Sequence, residues 1–299
     1  MTTFSHLRLS VVALVVVAFA VLMTAVSAAE FTCLKHHDRP DILGPFDDVL
    51  EKLTPGRCER LLIAGRFERG DAVAFKNILT ANLPYIEIIT LVSPGGSVAD
   101  ALEIGIMIRR HHISTESPEH NGFHMAAFLP ESLRNSDNGQ RVCLGRECIC
   151  ASSCALIWLA GIQRSGDMVG FHRPTIKDQE FWDAPLPEVQ AKYKRLLSWM
   201  VSYMREVGAP DQLVDHMTGT SSGGMFWLHT DPELRDRLSD PDRYIPDLDE
   251  WLTAKCGRMP DARALHQQTT AQRAALDALG GVITACRRAR LKDARARVD

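Results

Sequence analysis

This chain lacks a charge field. Lysine and arginine number 34 against 37 aspartates and glutamates, a net charge of −3, so there is no basic surplus to neutralise a polyanion. Nucleic acid is excluded as an expected partner. The chain also lacks an internal repeat, which excludes a repeat array. A disordered chain is excluded too, because 45% of its 299 residues are apolar. That length and composition support one sizeable α/β domain with an extension.

No acidic side chain stands in the first 29 residues. His6 and Arg8 precede an apolar run from Val11 to Val26, which ends in Ser27-Ala28-Ala29. This layout predicts a signal peptide over residues 1–29, cleaved near Ala28 or Ala29. The run approaches the ~20 residues that span a bilayer, so an uncleaved anchor over residues 9–28 is the competing reading, with membrane association through that segment. Either way the remainder is expected outside the cytoplasm, periplasmic or secreted.

The eight cysteines are Cys33, Cys58, Cys143, Cys148, Cys150, Cys154, Cys256 and Cys286. An even number in an exported chain predicts disulfides. We expect Cys256 to pair with Cys286 across a helical hairpin, and Cys33 with Cys58 to tie the N-terminus to the first core strand. The central four could hold zinc through thiolates, but an oxidising compartment favours bridges, so no metal is expected. His36-His37 and His111-His112 are adjacent pairs whose side chains diverge, and neither is a metal site by itself.

Residues 30–58, punctuated by Pro40, Gly44 and Pro55, read as a connecting arm, and 59–245 as the main domain. Within it, Leu61 to Phe67 and Ile86 to Val92 read as buried parallel strands. Asp71 to Asn82 and Ser97 to Arg110 have helical apolar spacing. Residues 114–147 are polar and read as an insertion braced by Cys143 and Cys148. A long amphipathic helix is predicted over Pro187 to Val207. Ser221 to Leu228 read as a turn feeding a short strand, with Met225, Phe226 and Trp227 as packing residues. Residues 246–299 read as a helical C-terminal extension with a break at Gly280-Gly281 and a solvated charged tail from Arg287.

The chemistry concentrates in Cys150-Ala151-Ser152-Ser153-Cys154, which leads into the apolar run Ala155 to Gly161, and in Val169-Gly170-Phe171-His172-Arg173-Pro174. A small-residue turn offers serines at the head of a buried helix, and the next strand ends in a histidine. A serine nucleophile and its base need that arrangement. Upstream, Ser93-Pro94-Gly95-Gly96 follows a strand.

In this order the motifs resemble the proteolytic subunit of the Clp protease and the ClpP/crotonase superfamily, over roughly residues 60–240. Among its members the chain looks most like exported ClpP-like proteins with cysteines on both sides of the serine. The resemblance implies a repeated β-β-α spiral with the 187–207 segment as the family's handle helix. It also implies Ser152 as nucleophile, His172 as general base, and backbone amides of Gly95, Gly96 and Ser153 as the oxyanion hole. For the third triad member Asp215 is the first candidate and Asp211 the second, because His216 stands at or beside the family position.

A peptide or protein substrate, self-association and no cofactor follow from the same resemblance. Three other readings compete. A fold that has lost its triad geometry would be a binding or scaffold protein of the cell envelope. A crotonase-type enzyme would act on coenzyme A thioesters, which export argues against. A Ser-Lys peptidase would need Lys177, Lys192 or Lys194 in an apolar pocket, and their settings are polar or helical.

Overall fold

Short β-branched and leucine-rich runs form the centre of this protein because they are buried on both faces. The computed structural model describes residues 29–34, 58–120, 148–175, 185–239, 245–260 and 270–297. In chain order its elements are β1 (Glu30–Leu34), β2 (Arg60–Ala64), α1 (Asp71–Asn82), β3 (Ile88–Val92), α2 (Val98–Arg110), β4 (Ser114–Glu116), β5 (Cys150–Ala151) and α3 (Ser153–Leu159). There follow β6 (Arg164–Ser165), β7 (Val169–Phe171), α4 (Leu186–Glu206), α5 (Asp211–Gly219), β8 (Phe226–Trp227), a 3-10 turn at Leu228–Thr230, α6 (Pro232–Ser239), α7 (Pro246–Cys256) and α8 (Thr270–Arg295). The fold is mixed α/β.

Among the described residues two sheets carry the strands, one of five in the order β1-β2-β3-β4-β6 and one of three in the order β5-β7-β8. In the first, only β1 is antiparallel; in the second, β5 and β7 are parallel and β8 returns antiparallel. Leu61, Leu62 and Ile63 are fully buried, as are Ile89 and Leu91, which is why these strands read as continuous apolar runs. Helix α3 is buried at every residue, the mark of a helix enclosed by the core. Across it, the Tyr203 hydroxyl of α4 donates to the Leu156 carbonyl at 2.8 Å, and burial pushes the phenol pKa well above its ordinary range.

Several expectations change here. Residues 30–34, read as part of a connecting arm, form an edge strand, and the Cys33–Cys58 disulfide holds it beside the start of β2. Residues 114–116, read as the start of the insertion, are the core strand β4. The polarity of Ser114-Thr115-Glu116 hides that strand from a hydrophobicity reading, yet Thr115 is buried and its hydroxyl donates to the Trp158 carbonyl at 2.7 Å. The leader through Ala28, residues 35–57 of the arm, and the remaining insertion at 121–147 with Cys143 lie outside the described residues. Among the described residues no helix is long and apolar enough to cross a membrane.

The C-terminal extension departs most from expectation. Helix α8 runs unbroken through Gly280 and Gly281, although each glycine costs a helix about 1 kcal/mol relative to alanine. Tertiary ties offset that cost. Cys256 is bridged to Cys286, and Arg287 bonds Asp249 at 2.8 Å and the Thr253 hydroxyl at 2.9 Å on α7. The expected solvated tail is in fact docked. Arg288 pairs with Glu59 and Glu87, while Arg295, 2% exposed, reaches Glu87 and the carbonyls of Pro84 and His112. All four acceptor residues precede or flank the starts of β2, β3 and β4, so α8 closes the N-terminal end of the parallel strands.

Replacing Arg295 strips donors from two backbone carbonyls and one carboxylate. Arg295→Ala is expected to lower stability by about 3 kcal/mol, measured by urea unfolding of the oxidised protein. Arg290→Ala, at an exposed pair on the same helix, is expected to change it by less than about 0.5 kcal/mol.

Candidate active site

The opposite, C-terminal end of the strands is where loops leave the sheet, and in α/β folds that end takes ligands. Three segments meet there: the turn after β3, the elbow between β5 and α3, and the end of β7. Ser93 joins the first two. Its N–H donates to the Ile149 carbonyl at 2.7 Å and its carbonyl accepts from Ala151 N–H at 2.9 Å, a parallel bridge to Cys150. The next link is Ser152 N–H, which donates to the Gly170 carbonyl of β7 at 2.8 Å. Registration of Ala151 with Gly170 puts Ser152 beside Phe171, and His172 one residue further along the adjacent strand. Ser152 and His172 thus leave neighbouring parallel strands at the same end, both half-buried.

Ser152 holds φ 60° and ψ −123°, a conformation that costs a non-glycine residue roughly 1–3 kcal/mol and persists where its surroundings over-determine it. Here β5 stops at Ala151 and α3 starts at Ser153, so one residue makes the whole reversal. The Cys150–Cys154 disulfide closes over that residue, joining strand to helix across a separation of four. A strained serine on a tight strand-to-helix turn presents its hydroxyl outward at the head of a helix.

The glycine turn packs directly against this elbow. A Cβ on Gly95 would lie 2.6 Å from Ser152 Cβ and 2.7 Å from the Ala151 carbonyl oxygen, and the residue has φ 94°. Gly96, at φ 148°, faces the backbone of Phe67, whose carbonyl oxygen would sit 2.0 Å from a Cβ there. Only glycine meets both demands.

The amides of the expected oxyanion hole have different fates. Gly95 N–H donates to Ser93 Oγ at 3.0 Å and is already engaged. The bridge between Phe67 and Gly96 uses the Gly95 carbonyl and Ser97 N–H, so the N–H of Gly96 itself points away from Phe67. Neither Gly96 N–H nor Ser153 N–H donates to a turn or loop acceptor among the described residues. Ser153 Oγ is buried without a hydrogen-bond partner.

Asp215 and Asp211 occupy the exposed side of α5, with Asp211 beside Arg205 at 3.5 Å. Their neighbour His216 lies flat on Phe226, ring centroids 3.8 Å apart. The segment after His172 is held by Arg173 N–H, which donates to the Thr220 carbonyl at 3.1 Å. From Thr220 to Met225 the chain carries hydroxyls and glycines and no carboxylate.

Residues that support the site escaped the sequence reading. Asp100 accepts from Gly70 N–H and Ala72 N–H and bonds Ser97 at the head of α2, while Asp71 accepts from Glu68 N–H at 2.8 Å. Together they fix the 66–72 loop on which the glycine turn leans. The Ser97-x-x-Asp100 spacing, a helix-start signature, could have flagged one of them.

The cysteines are committed to bridges. Disulfides 33–58, 150–154 and 256–286 are formed, and Cys148 is disulfide-bonded as well. That occupies the thiolates a central zinc site would need. Such bridges form and persist in oxidising compartments, in agreement with an exported chain.

Two measurements follow. Gly96→Ala is expected to cost about 2 kcal/mol or more, because the added carbon meets backbone rather than a movable side chain, and thermal unfolding checks it. Replacing both Cys150 and Cys154 by alanine is expected to cost about 2 kcal/mol, against about 3.5 kcal/mol for the Cys33 and Cys58 pair, since the shorter loop constrains the unfolded chain less. Equilibrium unfolding in urea ranks the two. No protein-family model and no curated protein matches this chain.

Proposed function

We propose that this protein is an exported ClpP-like serine hydrolase acting on peptide or protein substrates. The observation that carries the reading is the backbone of Ser152, strained at the point where the glycine turn and the end of β7 converge. Ser152 Oγ attacks an amide or ester carbonyl, and His172 takes the hydroxyl proton and returns it to the leaving group. Gly96 N–H and Ser153 N–H hold the oxyanion, each worth ~3 kcal/mol or more of transition-state stabilisation. Water then attacks the acyl-enzyme through the same imidazole. The role of Gly95 in this scheme is to let the turn approach Ser152.

The repeated β-β-α spiral and a handle role for α4 belong to the same proposal. They are supported by the parallel pairing of β2, β3 and β4 with helices between them, and by the half-buried face of α4. Self-association through that helix fits its exposed Leu186 and Trp199.

Asp215 remains the proposed third member. Its exposure limits it to a solvent-screened influence on the imidazole, so the pair Ser152 and His172 carries the chemistry. The same exposure favours a second reading, a non-catalytic binding protein of the cell envelope.

Labelling by a fluorophosphonate separates the two. An adduct on Ser152 of the oxidised protein, lost in Ser152→Ala, is the expected result; a folded protein that takes no label supports the binding protein instead. On any ester or peptide that responds, His172→Ala is expected to lower kcat/KM roughly a thousandfold, and Asp215→Asn less than about tenfold.

A further inference from the structure

The amino end of the described chain lies beside the site. Strand β1 is antiparallel to β2, with Glu30 opposite Ala64, so its first residue sits at the C-terminal end of β2, where the glycine turn also lies. There Ala29 N–H, buried, donates to Asp71 Oδ2 at 3.3 Å. Asp71 is 6% exposed, and the same oxygen accepts from Glu68 N–H at 2.8 Å. Glu68 follows Phe67, whose N–H donates to the Gly95 carbonyl at 3.0 Å and whose carbonyl accepts from Ser97 N–H at 2.8 Å. Hydrogen bonds, continued through the Phe67–Glu68 peptide, therefore link residue 29 to the turn beside Ser152.

Among the described residues this buried carboxylate has two neutral amides and the partial positive charge at the head of α1 for partners, and no full countercharge. The small-residue sequence Ser27-Ala28-Ala29 offers leader cleavage on either side of Ala29. Cleavage before Ala29 supplies the missing charge at the right atom, because the nitrogen that donates to Asp71 becomes an ammonium. Cleavage after Ala29 removes the donor altogether.

We propose that the mature chain begins at Ala29 and that its α-ammonium docks on the Asp71 carboxylate, so that processing completes the support of the glycine turn. In the processing step a leader peptidase hydrolyses the Ala28–Ala29 amide. Water adds hydroxyl to the Ala28 carbonyl carbon, the C–N bond breaks, and the released amine is protonated near neutral pH. An ion pair, charged on both sides, then replaces a hydrogen bond in which only the acceptor is charged. Asp71 is the positioning residue of this device. The inference rests on the exported reading and is independent of whether Ser152 is catalytic.

The test uses the full chain, leader included, expressed in an exporting host and purified oxidised. Intact mass and amino-terminal sequencing are expected to place the first residue at Ala29. In the folded protein the α-amine is expected to acylate at least about tenfold more slowly than in the same protein unfolded in urea. Asp71→Asn, which keeps an acceptor oxygen and loses the charge, is expected to recover most of that rate while staying folded. A first residue other than Ala29, or equal acylation rates in the folded and unfolded wild-type protein, overturns the proposal without touching the hydrolase reading. Should Asp71→Asn fail to fold, the wild-type mass and the folded-against-unfolded rates still decide.

Discussion

The bridge between Ser93 and Cys150 is the constraint on which this arrangement depends. Two sheets that share no named strand are locked together through one residue, which uses its N–H, its carbonyl and its hydroxyl at once. Ser93 is fully buried, so each of these bonds replaces water that is absent, and losing one would leave an orphaned polar group. The bridge fixes the end of β3 beside β5, and with it the distance between the glycine turn and the elbow at Ser152. Because β5 is in turn registered with β7, the serine and the histidine inherit their relation from backbone pairing alone. No side-chain contact has to bring them together.

The two ends of the parallel strands are built from different chemistry. At the N-terminal end, α8 is bound by guanidinium groups to carboxylates and carbonyls at the strand starts. At the C-terminal end, turns are held by buried serine and aspartate side chains that accept from backbone N–H groups, those of Gly70 and Gly95 among them, while Gly96 N–H has no turn or loop acceptor among the described residues. Aspartate can satisfy several amides with one short, rigid side chain. Asp71 and Asp100 each do this, and the loop between β2 and α1 is ordered by them together with the buried Phe67 side chain.

How much of this was legible in the sequence depended on whether burial had an apolar signature. Helices α1, α2 and α4 were read to within one or two residues because their faces repeat leucine, isoleucine and methionine at helical spacing. Strands β2 and β3 were equally plain, being buried on both sides. β4 was missed because Thr115 is buried through a hydrogen bond to a helix carbonyl and so reads as loop. The docking of α8 was missed for a related reason: a run of arginines looks solvated until the carboxylates that receive it, Glu59 and Glu87, are brought from far along the chain. At the site, Ser152, His172 and the paired glycines were legible from local order. Ser93 stands out in the sequence only as part of its motif, and the exposure of Asp215 depends on the rotation of α5, which spacing along a helix of nine residues does not fix.

The Cys150–Cys154 bridge separates stabilisation from positioning. A loop closed over four residues removes little entropy from the unfolded chain, about half of what the two longer bridges remove. Yet it is fully buried and flanks a serine whose backbone sits in an unfavourable region. A cross-link of small global effect placed over a strained residue acts on the local equilibrium: it narrows the conformations that Ala151, Ser152 and Ser153 could relax into. The strain at Ser152 therefore persists between one covalent bond and one close-packed glycine, at the head of a helix that is buried at every residue.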